Sequence, residues 1–159
     1  GAAQAAYAGK RVALIERSAK PGGAAVNSGT IPTKALRETA LYFSGLKQRG
    51  LYGVDYHVKA DITLPEFMFR ERLVVEAQWA QISENLDKHG ITRLQGTARF
   101  VGPGLVEVRR YGEEPRRVRA PNVLIATGAR PHRPSQVPFD DEVIVDADTI
   151  LQLTRIPRR

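Results

Sequence analysis

Residues 11–34 read RVALIERSAKPGGAAVNSGTIPTK, and their pattern is the strongest indication of the fold class. Its first six residues form a short apolar run that ends on a carboxylate, which is typical of a buried parallel strand. A Gly-rich loop follows. Pro32 then lies near the first turn of a predicted helix, which should run to about Gln48 and end near Gly50. A strand, a Gly-rich loop and a helix in this order predict an α/β fold.

The flanking sequence adds helices and a second kind of strand. Residues 1–9 predict the end of a helix, and Thr63 with Glu66 forms a capping box before a long amphipathic helix that reaches Gly90. Beyond Gly90 the apolar period becomes two, which predicts an antiparallel meander of residues 92–101, 105–110 and 116–119. The continuous apolar run 122–126 predicts another buried strand, and residues 147–153 a short helix. The fold class is therefore α/β with an inserted β meander and long helices.

Composition limits the class of protein. The 159 residues, 42% apolar and 26% charged, fit one ordinary globular domain. No window has the apolar length of a membrane helix, and the first residues lack the features of a signal peptide. The sequence contains no cysteine, so it has no disulfide and no thiolate site, and we expect a cytoplasmic protein. The three histidines lack metal-ligand spacing on one element, so no metal site is expected.

The net charge of +7 raises the question of nucleic acid binding. Arginine supplies the excess, in the runs at 109–110, 116–119, 130–133 and 155–159. We interpret these runs as solvated strand edges, loops and a tail. No zinc-finger spacing or aromatic RNA-binding signature accompanies them, so nucleic acid is not expected as a partner.

Glu16 is the first candidate site residue. An acidic side chain at the carboxyl end of a strand in a dinucleotide-binding fold accepts hydrogen bonds from the hydroxyls of an adenosine ribose. Arg17 follows it at the start of the loop. The alternative is an ordinary exposed surface carboxylate.

Two glycine-containing pairs, Gly22-Gly23 and Gly29-Thr30, flank the loop that leads into the helix. Glycine lets a backbone approach a pyrophosphate or a flat ring, and a helix N-terminus offers unpaired N–H groups. Gly-rich loops also serve as plain turns, so this signal alone leaves both interpretations open. Lys34, one turn into the helix, could stabilise negative charge on a reduced ring, or it could be an ordinary surface lysine.

Thr127 and Gly128 follow the second apolar run. A hydroxyl and a permissive backbone at the carboxyl end of a strand suit a dinucleotide site, although a simple strand-to-loop turn has the same pattern.

Read together, these segments resemble the flavoprotein disulfide reductase family over nearly the whole chain. The redox loop of that family has a glycine pair, two cysteines with four residues between them and a Pro-x-Lys ending. Residues 22–34 match it, with Ala25 and Thr30 at the cysteine positions. The form GTIPTKALRE at 29–38 is similar to the soluble transhydrogenase branch, in which the second cysteine is a threonine. Residues 96–100, 127–131 and 146–151 also resemble segments of this family.

The resemblance implies a Rossmann-like FAD-binding domain with NAD(P)(H) as substrates. It implies that Glu16 holds the ribose, that Gly22, Gly23 and Thr30 approach the cofactor, and that Lys34 sits near the reactive nitrogen of the flavin. Thr30 and Lys34 would form the catalytic pair. The remaining implied cofactor contacts are Arg17, Gly29, Gly96, Thr97, Ala98, Thr127 and Gly128.

The same resemblance implies a hydride transfer between NADPH/NADP and NADH/NAD through FAD, without a redox disulfide. Residues 1–159 would be a partial FAD-binding domain that lacks the first strand and its Gly-x-Gly-x-x-Gly turn. The nicotinamide-binding and dimerisation domains would lie outside it, in a homodimer or higher oligomer. Alternatives are an NAD(P)H oxidase or quinone reductase of the same family, or a non-catalytic flavin- or nucleic-acid-binding fragment.

Overall fold

The computed structural model describes residues 1–49, 53, 57, 59 and 61–156. The chain divides into two compact units, the first made of Gly1–Pro21 and Trp79–Thr127, the second of Gly22–Gln78 and Gly128–Arg159. In chain order, the elements are α1 (Ala2–Tyr7), β1 (Ala13–Glu16), α2 (Gly23–Asn27), α3 (Thr30–Arg49), α4 (Leu64–Phe67), α5 (Phe69–Lys88), β2 (Thr92–Gln95), β3 (Thr97–Gly102), β4 (Leu105–Arg109), β5 (Arg116–Arg119) and a 3-10 turn (Thr149–Gln152).

The first unit holds a parallel pair of strands. β1 pairs with β2 in a register that runs from Ala13 opposite Thr92 to Glu16 opposite Gln95. The predicted strand at 11–16 is thus confirmed, beginning two residues later than expected. A parallel pair brings the carboxyl ends of both strands to the same edge, which is where α/β folds bind ligands.

The predicted antiparallel meander is confirmed, since β3, β4 and β5 pair in that order. The expected strand 92–101 is divided at Gly96, which follows β2 and precedes β3. Gly96 has φ of 150°, and a Cβ there would lie 2.6 Å from the carbonyl oxygen of Arg109. Only glycine therefore fits where the chain leaves one sheet and enters the other.

The predicted buried strand at 122–126 is wrong. The segment forms no strand, and its large apolar side chains are exposed, Val123 at 44%, Leu124 at 76% and Ile125 at 68%. An apolar run becomes a buried strand only when neighbouring strands pair with its backbone, and none of the described strands pairs with this one. Because residues 122–126 form no strand, β1 pairs with β2 on one edge and with no described strand on the other.

In the second unit, the Gly-rich loop contains a short helix that the sequence pattern does not predict. α2 packs against α3, with Val26 from α2 buried and Pro32, Ala35 and Thr39 buried on α3. α3 begins at Thr30 and reaches Arg49, as predicted to within a residue or two. The predicted stop at Gly50 lies outside the described residues.

The capping box is confirmed, although it caps a single turn. The Thr63 hydroxyl accepts from the Glu66 backbone N–H, and the Glu66 carboxylate accepts from the Thr63 backbone N–H at 2.8 Å. The one-turn helix α4 ends at Phe67, and the predicted long helix, α5, begins at Phe69.

The apolar stripe of α5 is partly buried, at Val75 and Leu86. The expected helix at 147–153 is one 3-10 turn. None of the described helices has the length and apolarity needed to cross a membrane.

Candidate functional site

The carboxyl ends of β1 and β2 bring two predicted site segments together within the first unit. The Gly96 backbone N–H donates to the Glu16 carbonyl oxygen at 2.9 Å. This bond fixes the segment Gly96, Thr97 and Ala98 beside Glu16 and Arg17. Two segments that are both expected to contact the cofactor are therefore neighbours.

The Glu16 side chain is half-buried and is oriented by its own loop. Its Oε1 accepts a hydrogen bond from the Ser18 backbone N–H at 2.8 Å. Its Oε2 accepts none from any other residue that the structure describes. A carboxylate held in this way can accept hydrogen bonds from ligand hydroxyls, whereas the fully exposed carboxylate considered as the alternative would lack such a fixed orientation.

The glycines of the predicted phosphate loop differ in what surrounds them: protein atoms exclude a side chain at Gly22 and Gly29, whereas the space at Gly23 is open. Gly22 is the N-cap of α2 with φ of 105°, and a Cβ there would lie 2.5 Å from the Cβ of Val26. At Gly29 a Cβ would lie 2.9 Å from the Ala24 carbonyl oxygen, so both positions are explained by the packing of the chain itself. Gly23, with φ of 57°, has no described atom within 4 Å of the place that a Cβ would occupy, apart from its chain neighbours and its own helix. It is the glycine of this loop that leaves room for a ligand.

The start of α3 presents two further candidates of the second unit. Thr30 is its first residue and Lys34 lies one turn later on the same side, and both side chains are exposed. Ala25, on α2, is also exposed. Neither position that resembles a redox cysteine carries a thiol, and the sequence has no cysteine elsewhere.

Thr127 and Gly128 are both exposed, and the strand that was expected to precede them is absent from the described structure. Gly128 has φ of 78° and open space around its Cβ position. The structure therefore gathers the other predicted site residues in two sets, one at the strand ends of the first unit (Glu16, Arg17 and 96–98) and one at the α2–α3 corner of the second (22–34).

Sequence reasoning missed a charged cluster on the meander. Glu107, in the middle of β4, is buried, and three arginines reach its carboxylate: Arg109 at 2.7 Å, Arg99 at 3.2 Å and Arg117 at 3.6 Å. The Arg109 hydrogen bond lowers the pKa of Glu107. The alternating sequence LVEVR predicts that Glu107 faces the polar side of β4. The alternation does not predict that long arginine side chains cover Glu107 and bury it.

A second missed group lies in the Pro-rich segment of the second unit. Arg133 donates to the carboxylates of Asp141 and Asp146, and its guanidinium lies 5.0 Å from the centre of the Phe139 ring. The backbone N–H of Thr149 and the Arg133 contact lower the pKa of Asp146 to about 2. Arg133, interpreted from sequence as a solvated charge, therefore ties together a segment without regular structure.

Comparison with known proteins identifies the family. The family model described as pyridine nucleotide-disulphide oxidoreductase matches residues 1–158. The soluble pyridine nucleotide transhydrogenase of Mycobacterium bovis (strain BCG / Pasteur 1173P2) is 40% identical over 150 residues, covering 94% of this chain and 32% of that protein. The protein of the same name from Marinomonas sp. (strain MWYL1) is 34% identical over 157 residues, covering 99% and 34%. The chain thus spans about a third of the length of the curated relatives it matches.

Solved structures agree in fold. LpdA from Mycobacterium tuberculosis superposes with a TM-score of 0.78 at 26% identity, covering 98% of this chain and 34% of that one. The flavoprotein disulfide reductase RclA from Escherichia coli superposes with a TM-score of 0.71 at 26% identity, covering 98% and 32%. The family and the Rossmann-like fold predicted from sequence are confirmed, and this chain belongs to the pyridine nucleotide-disulphide oxidoreductase family.

Proposed function

We propose that this chain is the FAD-binding part of a soluble pyridine nucleotide transhydrogenase, which moves hydride between NADPH/NADP and NADH/NAD without a redox disulfide. The observation that carries the proposal is the pair Ala25 and Thr30 at the two redox-cysteine positions, in a chain with no cysteine. Without sulfur there, electrons have no route to a disulfide substrate. The names of the relatives support the same activity.

The family uses FAD, with nicotinamide nucleotides as substrates, and the site residues fit this cofactor. The Oε2 of Glu16 suits the ribose hydroxyls, and the fixed turn at Gly96 to Ala98 lies beside it for the adenine. The open backbone at Gly23 suits the close approach of a flat or anionic group, and Gly128 offers the same at its own position. When bound, FAD supplies the ring that accepts and gives hydride.

The protein side chains would bind, orient and stabilise charge. Lys34 would hold a positive charge near the reactive nitrogen of the ring, where negative charge develops on reduction. Thr30, in place of a thiol, would line the ring with a hydroxyl that does not exchange electrons. Arg17, Gly22, Gly29 and Thr127 would complete the contacts to the cofactor.

The activity belongs to a longer protein in this proposal. Because the chain spans about a third of its relatives, we propose that the nicotinamide-binding and dimerisation domains are supplied by further sequence. We also propose that the longer protein is a homodimer or higher oligomer, and that it is cytoplasmic, a compartment that fits a sequence without cysteine.

The experiment uses a protein extended to the length of the curated relatives, called here the extended protein. Purified with FAD, it is assayed with NADPH and an oxidised NAD analogue whose reduction is measured by absorbance. We expect turnover with the nucleotide acceptor and none with lipoamide or glutathione disulfide. Reduction of a disulfide, or oxygen or quinone consumption that exceeds nucleotide reduction, would contradict the proposal and favour a reductase or an oxidase.

A further inference from the structure

The meander places one row of charged residues on a single face. In the register of β3, β4 and β5, Arg99, Glu107 and Arg117 lie directly opposite one another. Because side chains alternate between the faces of a strand, Arg109 on β4 and Arg119 on β5 share this face with them. On β4, Val106 and Val108 occupy the other face and are buried.

The buried carboxylate of Glu107 holds the three arginine side chains in place. Its side chain is 5% exposed, whereas the side chains of Arg99, Arg109 and Arg117 are between 60% and 66% exposed. Arg109 contacts the carboxylate through Nε, and Arg99 contacts the same oxygen through Nη2. The three guanidinium groups are thus held close together by one buried carboxylate while their other sides face solvent.

The charges of this arginine cluster (Arg99, Arg109 and Arg117 around Glu107) do not balance. One carboxylate meets three guanidinium groups, so two positive charges are in excess. The hydrogen bond from Arg109 lowers the pKa of Glu107. A guanidinium has five N–H donors, and Arg109 donates to Glu107 through its Nε. Its Nη groups form the planar donor fork that matches a phosphate.

We propose that the arginine cluster is a binding site for a phosphoryl group with two negative charges. A dianion would neutralise the excess charge, and the anchored guanidinium groups would lose little side-chain entropy on binding it. A free phosphate and the phosphate end of a nucleotide share this chemistry. The site stands on the meander face and is independent of the proposed transhydrogenase activity.

The test is isothermal titration calorimetry of the chain with inorganic phosphate and, separately, with uridine diphosphate, whose base is not that of FAD. The central variant is Arg117→Gln. Its matched control is Arg116→Gln, which removes the same charge from the adjacent position on the opposite face of β5, where Arg116 lines a pocket with Glu113 and Glu114. Comparison of the two dissociation constants shows whether the site prefers a free phosphate or the phosphate end of a nucleotide.

We expect saturable binding that Arg117→Gln weakens about tenfold and Arg116→Gln less than about twofold at equal ionic strength. Arg99→Gln provides a second variant from another strand, with the same expected loss, should Arg117→Gln not fold. Equal losses in the two Arg→Gln variants of β5 would overturn the proposal, because diffuse charge alone would then explain the attraction. Absence of saturable binding, or binding of a DNA duplex without binding of either phosphate, would also overturn it.

Discussion

Glu16 has the most firmly oriented side chain of the proposed cofactor-binding residues in the first unit. Its backbone carbonyl accepts from Gly96 and its Oε1 accepts from Ser18, so both the main chain and the side chain are fixed. Such preorganisation means that a ribose binding to Oε2 would meet a carboxylate that is already oriented. The strength of a charged hydrogen bond to a ligand hydroxyl is then available for binding.

Replacing Glu16 by Gln should weaken FAD binding by about 1 to 3 kcal/mol, because two ribose hydroxyls lose a charged acceptor. The measurement is titration of FAD fluorescence with the extended protein. The control is Glu84→Gln, which removes an exposed carboxylate of α5 in the same unit. Equal affinities of the Glu16 and Glu84 variants would show that Glu16 does not contact the cofactor.

The side chains of Ala25 and Thr30 should affect the visible absorption spectrum of the reduced protein, because neither carries a thiol. The long-wavelength band of thiolate-to-flavin charge transfer requires a thiolate against the oxidised flavin, and a threonine hydroxyl cannot supply one. After two-electron reduction by dithionite, with no nucleotide present, the extended protein should therefore show no such band, as measured by anaerobic titration in a spectrophotometer. The Ala25→Cys/Thr30→Cys double variant serves as the positive control. A band in the unaltered protein would require a cysteine from outside this chain.

At the scale of elements, the capping box of α4 predicts an acid-sensitive step. Hydrogen bonds from the Thr63 backbone and hydroxyl, followed by Lys59, lower the pKa of Glu66 to about 2 from an ordinary value of 4.5. A carboxyl group with a lowered pKa stabilises the folded state above its unfolded pKa, and this stabilisation disappears as the pH falls through the folded pKa. The Glu66 contribution should therefore be complete above about pH 5 and lost towards pH 2.

Glu66→Gln should lower stability at neutral pH and flatten its decline between about pH 5 and pH 2. The measurement is the urea midpoint of the unaltered chain and the variant across this range, followed by circular dichroism. Asp146 titrates in the same interval, so the difference between the two proteins isolates Glu66. Parallel pH profiles of the two proteins would contradict the role of the capping box.

Because segment 122–126 is exposed, substitutions of its apolar side chains should have little effect on stability, whereas in a buried strand they would be costly. Leu124→Ser should change stability by less than about 0.5 kcal/mol, because the side chain is already in solvent. Val108→Ala, in the buried face of β4, should cost about 2 kcal/mol through the lost apolar contacts. Urea denaturation of this chain measures both. A larger loss for Leu124→Ser than for Val108→Ala would mean that the apolar run is packed after all.

The sequence pattern correctly predicted those elements that depend on interactions between residues close together in the sequence. The box at Thr63 and Glu66, the meander and the long helix before Gly90 depend on side chains a few residues apart, and all three are present. The run at 122–126 depends on partner strands that no local pattern reports. Similarly, the half-burial of Glu16 could be inferred from its place at a strand end, whereas the burial of Glu107 under three arginines could not.

At the scale of the whole molecule, the parallel sheet of the described residues consists of β1 and β2, in a chain that spans about a third of its relatives. A dinucleotide usually binds at the turn after a central strand of a larger parallel sheet. This chain alone should therefore bind FAD more weakly than the extended protein and show no transhydrogenase turnover, since a nucleotide must be held against the flavin for hydride transfer. FAD titration and the nucleotide assay, run on both proteins side by side, check this, and equal turnover of the two would contradict it.

The visible absorption spectrum of the purified extended protein is the sharpest test of whether this family member is a flavoprotein. We predict the two visible bands of oxidised flavin, with a chromophore that denaturation releases as FAD. Addition of NADPH under anaerobic conditions should bleach these bands, and an oxidised NAD analogue should restore them. A folded extended protein that is colourless as purified and takes up no FAD on incubation would contradict the account.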